Sequence, residues 1–154
     1  TALALAEKGG RPRTIAGSLC FVAEAQLALG RTAEAVELLR RAADLAREVE
    51  DPPLRAATLS RLAGAEHARG RLGPAVDAHH EALSALTRHT STWLEMQVRV
   101  RLGGTYTAAG RHAEARREYE AALALPGAEN HPHEYGLARA GLSGAVPPAP
   151  GERF

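Results

Sequence analysis

The chain of 154 residues has one cysteine, one methionine, one tryptophan and two phenylalanines, and aromatics make up 4% of it. The single cysteine, Cys20, excludes an internal disulfide framework and a four-cysteine zinc site, and suits a reducing compartment. Isoleucine occurs once, at Ile15, so the side chains that favour a sheet are scarce. Lysine also occurs once, at Lys8, which excludes a phosphate-binding loop of the G-x-x-x-x-G-K-[ST] kind. The 19 basic residues face 18 acids, for a net charge of +1, so direct nucleic-acid binding is not expected. No apolar run approaches the ~20 residues that span a bilayer, and no basic segment followed by an apolar stretch opens the chain. A cytoplasmic protein without a membrane partner is the expectation. The chain starts at Thr1 within a helical pattern, as a piece of a longer protein would.

What is abundant is helix-forming: 33 alanines and 20 leucines. They recur on a frame of forty. The stretches ALGRTAEAVELLRRAADLA, ARGRLGPAVDAHHEALSAL and AAGRHAEARREYEAALAL place Gly30, Gly70 and Gly110 in step, each followed by an arginine. Ala35, Ala75 and Ala115 keep the same step, as do Ala42, Ala82 and Ala122. Units are expected over 11–50, 51–90 and 91–130. Residues 1–9 read as the end of a preceding unit's second helix, 134–144 as the first helix of a further unit or a cap, and 145–154 as a disordered tail. Each glycine follows an apolar run, which predicts a left-handed cap and a helix on either side. Leu94, Val98, Leu102, Tyr106 and Ala109 form one helical stripe; Ala35, Leu38, Leu39, Ala42 and Leu45 form another. Asp51-Pro52-Pro53, Thr90-Ser91-Thr92 and Pro126-Gly127 separate the units. Ala23, Ala63 and Gly103, like Ala35, Ala75 and Ala115, are small where helices must come close, so leucine at Gly103 or Ala75 is expected to overpack them.

These positions carry a resemblance. Leu102, Gly103, Tyr106, Gly110, Ala115, Tyr119 and Ala122 resemble the pattern of the tetratricopeptide repeat. So do Leu19, Val22, Ala23, Gly30, Ala35, Leu39 and Ala42, and Leu59, Leu62, Ala63, Gly70, Ala75 and Ala82. The likeness covers residues 1 to about 144. A period of forty exceeds the family's usual ~34. The phrases GRHAEARREYEAALAL and HEYGLARAGLSGAV resemble the long repeats of actinobacterial multidomain transcriptional regulators. His79 stands where an aromatic is usual, and Arg99 and Arg139 stand in the register of Leu19 and Leu59.

The resemblance implies an all-α, right-handed superhelical solenoid of antiparallel helix pairs. It further implies a non-catalytic protein–protein interaction module, without a cofactor, in a larger bacterial regulatory protein, holding a peptide or helix in its concave groove. The alternative is a sensor domain for a small ligand or signalling peptide. Groove positions carried over from the family are Gly17, Cys20, Glu24 and Leu27; Ala57, Ser60, Gly64 and His67; Gln97, Val100, Gly104 and Thr107; and Leu137 and Ala140. They lack the lysine and asparagine of carboxylate-holding members, which excludes that mode. Arg61 and Arg101 are equivalent positions on the edge of this face, either a pair of forks for an acidic partner or solvated surface. A missing capping unit is expected to favour homodimers or end-to-end stacking.

Other chemistry finds little support. His79 and His80 are adjacent and diverge on a helix; His131-Pro132-His133 lacks a full ligand set, so no metal is expected. Ser143 lacks the G-x-S-x-G context, and Cys20 has no histidine nearby in sequence. His67 and His112 read as surface histidines, and Trp93 as a staple against its own helix's next turn.

Overall fold

The computed structural model describes residues 11–86 and 91–144. The expected helix before residue 9, Thr90 and the tail from 145 lie outside them. Among the described residues seven α-helices follow one another: α1 (Pro12–Ala28), α2 (Thr32–Glu48), α3 (Pro52–Ala68), α4 (Leu72–Ala85), α5 (Thr92–Ala108), α6 (His112–Leu123) and α7 (Pro132–Leu142), with one 3-10 turn at Ala128–Asn130. Among the described residues there is no strand.

The starts and stops follow from local chemistry. Pro12, Pro52 and Pro132 open their helices, where a fixed φ helps and the missing N–H is not needed. Asp51 caps α3 by accepting from Leu54 N at 3.0 Å, and Ser91 caps α5 through Leu94 N at 3.4 Å. Gly30, Gly70 and Gly110 take φ of 76°, 75° and 74°, a conformation costly for a side chain bearing a Cβ. Each closes the same cap. Arg31 N donates to Gln26 O at 2.8 Å, Arg71 N to Glu66 O at 2.9 Å and Arg111 N to Tyr106 O at 2.9 Å. The chain thereby reverses within three residues and lays the next helix against the last.

Successive helices pack together along the whole series, and α5 also packs directly on α3 and on α7. The even-numbered helices make no comparable contact with one another among the described residues. The odd-numbered helices, packed directly on one another from α3 onward, therefore form the inner layer and the even-numbered ones the splayed outer layer of a helix-pair solenoid.

Two cores lie between the layers. The first, mainly within α1 to α4, is aliphatic: Leu19, Leu39, Leu59 and Val36 among Ala16, Ala23, Ala35 and Ala63. The second surrounds Tyr106 and Tyr119. Arg99 does not leave a gap in its apolar register. It bridges Glu95 on its own helix and Glu118 on α6, both at 2.9 Å. Trp93 departs from the expected staple: its indole N–H donates to Glu134 Oε1 at 2.8 Å and ties α5 to α7.

Candidate functional site

Exposure along the odd helices defines their inner face. The stripe runs through Gly17, Phe21, Glu24 and Ala28 on α1, Ala57, Arg61, Gly64 and Ala68 on α3, and Gln97, Arg101, Gly104 and Ala108 on α5, all partly or fully exposed. Spacings of four, three and four keep these residues on one side of a helix.

Three expected groove residues fall elsewhere. Cys20, Ser60 and Val100 are buried, at 3%, 1% and 1% exposure, in the seams between helices. Cys20 Sγ lies 3.7 Å from Thr58 Oγ1, so this position faces the neighbouring odd helix instead of the open side. The face turns on the next residue, which makes Phe21, Arg61 and Arg101 the equivalent central set. Phe21, 76% exposed, was missing from the sequence-based site. Its signal was the step of forty that links it to the two arginines.

The other expected residues lie on this side or at its edge. Glu24 Oε1 pairs with Arg61 Nη2 at 3.3 Å, with both side chains about half exposed. Leu27 is half-buried beside them. His67 is also half-buried and bridges to α5 through Nδ1 and Thr105 Oγ1 at 3.0 Å; burial lowers its pKa. Gln97 and Thr107 are half-buried, and the Thr107 hydroxyl donates to Gly103 O at 2.9 Å.

A recess of about 420 Å³ opens here, walled by Leu27, Leu39 and Ala65 and bordered by Glu24, Arg61 and Arg101. Gly64 helps to keep it open, since a Cβ there would meet nothing within 4 Å. One residue from each even helix reaches up between two odd helices: Leu39 beside Arg61, His79 near Arg101, and Tyr119 against Gly141. His79 is fully buried, and burial reinforced by Arg101, His67 and His80 lowers its pKa to about 3, so it is neutral at pH 7. Burial and the nearby Arg61 charge pull the Arg101 pKa down. A guanidinium nevertheless remains a cation at neutral pH. Arg101 Nη1 also reaches Ser60 Oγ at 3.3 Å.

The outer side offers a contrasting trough of about 380 Å³ between α2 and α4. Its arginines are engaged by carboxylates of the same trough: Arg40 with Glu66 at 3.0 Å, Arg47 with Asp44 at 3.5 Å and Arg55 with Glu81 at 3.8 Å. The inner recess is bordered by Glu24, Arg61 and Arg101, with Glu24 paired to Arg61.

Among the described residues no group of three or more His, Cys, Asp or Glu side chains is placed to hold a metal ion. No helix among them is long and apolar enough to cross a membrane. His80 is tied through Nε2 to Tyr106 Oη at 2.7 Å, and Ser143 Oγ donates to Arg139 O at 2.9 Å.

A row of helix pairs with an open inner face is a recognition scaffold, in which the surface between repeated elements does the binding. Residues 14–88 and 97–128 each match a family model described as Tetratricopeptide repeat. The chain belongs to the tetratricopeptide-repeat family and is a protein–protein interaction module. No curated protein matches the sequence.

Proposed function

We propose that the chain is the partner-recognition part of a larger bacterial regulatory protein and acts in the cytoplasm, holding a peptide or helix along its inner face. The observation that carries this reading is the stripe centred on Phe21, Arg61 and Arg101, which stays accessible across three odd helices while the preceding residues Cys20, Ser60 and Val100 are buried. Helix starts at 12, 52, 92 and 132 support a forty-residue unit, which brings equivalent side chains into one row. A groove of this kind recognises an extended or helical segment through side chains at regular intervals. The recess is bordered by exposed Glu24, Arg61 and Ala68. This openness favours a polypeptide partner over a small ligand enclosed in a pocket.

The reading is tested by filling the recess. Gly64→Trp introduces a bulky side chain where a Cβ meets open space, so the fold is expected to tolerate it. Peptides selected from a display library on the wild-type chain should lose binding to this variant, and should still bind Asp77→Arg in the outer trough. Retention by the first and loss by the second would place recognition on the outer face instead.

A further inference from the structure

We propose that residues 2–8 form a further helix seated on the open flank of α1, as α2 is seated on α3, so that the chain itself covers this end of the solenoid. One flank of each odd helix faces the preceding unit: on α3, Thr58 meets Cys20 of α1, and Leu62 lines the outer trough with Ala43 of α2. On α3 and α5 this flank is covered. Thr58 and Leu62 are 1% and 8% exposed, and Val98 and Leu102 both 0%. The equivalent residues of α1 are not: Ser18 is half-buried, Val22 is exposed, and Thr14 is exposed where Leu94 is buried. Spacings of four keep Thr14, Ser18 and Val22 on one side of α1.

The sequence supplies a cover, and the corner between α2 and α3 is its template. On α2, Ala42, Ala43 and Ala46 are buried and Leu45 is half-buried, whereas Arg41, Asp44, Arg47 and Glu48 are exposed. Forty residues earlier, the buried and half-buried places hold Ala2, Leu3, Ala6 and Leu5, and the exposed ones hold Thr1, Ala4, Glu7 and Lys8. Both leucines therefore fall on the face that α2 turns inward, and both charges on the face it turns outward. The corner itself repeats. Glu50 takes φ 51°, Asp51 N donates to Ala46 O at 3.1 Å, and Pro52 opens α3. Gly10, Arg11 and Pro12 hold the same three places, with glycine at the left-handed position, where a Cβ is costly.

Length and tethering favour this occupant over a second copy of the chain. Seven helical residues extend ~10 Å, which matches the first two turns of α1. Only Gly9, Gly10 and Arg11 separate the segment from α1, so its local concentration at the flank far exceeds that of a separate molecule. A helix this short is not stable alone in water, so protection of its amides reports docking.

The experiment is amide hydrogen exchange of residues 3–8 in the full chain, over a range of chain concentrations, compared with a free peptide of residues 1–10. Exchange in the chain should be slower by at least about tenfold, and equally so at every concentration. Gly10→Val, a β-branched residue at positive φ, should remove most of that protection, whereas Gly9→Val, in the register of Val49 at φ −87°, should keep it. Gly10→Asn should also keep it, because asparagine tolerates the left-handed region. Ser18→Glu, which places a charge beneath the segment, should remove protection from residues 3–8 while α3 to α7 stay protected. Exchange at the free-peptide rate, or equal effects of Gly9→Val and Gly10→Val, would overturn the proposal. Protection that appears only as the chain concentration rises would overturn it too, by giving the flank to a second copy. The inner-face reading stands or falls separately, since Gly64→Trp tests it without touching this flank.

Discussion

Leu39 and Tyr119 occupy the same register two units apart, and their surroundings differ in a compensating way. Leu39 is fully buried near Ala23, in a core of aliphatic side chains and alanines. Tyr119 is as deeply buried, but its ring lies against Gly103 and Gly141. A Cβ added at Gly103 would stand 2.6 Å from the ring's Cε1, well inside contact distance. Leucine with alanine and tyrosine with glycine are therefore two ways of filling one site at close helix separation. His79 is the intermediate case, a ring buried in the neutral form. The family pattern tolerates such exchange because the volume shared across the contact matters more than either residue alone.

Removing the large partner should give the largest effect. Tyr119→Ala is expected to cost about 3–5 kcal/mol and Leu39→Ala about 2–5 kcal/mol, measured by chemical unfolding. A Tyr119→Ala variant as stable as wild type would show that the second core does not depend on the ring. Enlarging the small partner comes next. Gly103→Ala is expected to lose about 1–3 kcal/mol through overpacking, despite alanine's better helix propensity. Combining it with Tyr119→Leu, which recreates the first core's solution, should recover most of that loss. Additive losses would contradict the exchange of volume.

The smallest change comes from protons. Between pH 6.5 and about 3 the unfolded chain protonates His79 while the folded chain keeps it neutral, so this contribution is present above 6.5 and is lost as pH falls. The slope from this residue is at most ~1.4 kcal/mol per pH unit. His79→Leu should flatten it. Hydrogen exchange at moderately acid pH should rise around α4 and α5 before α1 and α2, which contain no histidine. Equal rises in both regions would remove the special role of the buried histidine.

The helix pairs were legible because Gly-Arg turns, helix-opening prolines and alanine registers are local signals. The small residues at Ala23, Ala63 and Gly103 also read correctly as close-contact points, and all three are buried. The inner face was legible only to within one residue. Stripes through 17, 20, 24 and 27 and through 17, 21, 24 and 28 both satisfy helical spacing. What separates them is which flank of α1 and α3 the neighbouring helix covers. Cys20, Ser60 and Val100 carry no local mark of that choice. The Trp93 to Glu134 and Arg99 to Glu118 contacts were equally hidden, because they join different helices through side-chain pairings that no single helix's pattern marks.

The central claim is that recognition takes place on the inner layer. Hydrogen exchange of the chain with and without a saturating selected peptide tests it most directly. The account predicts added protection in the segments around Phe21, Arg61 and Arg101, with α2 and α4 unchanged. Protection confined to α2 and α4 would contradict it.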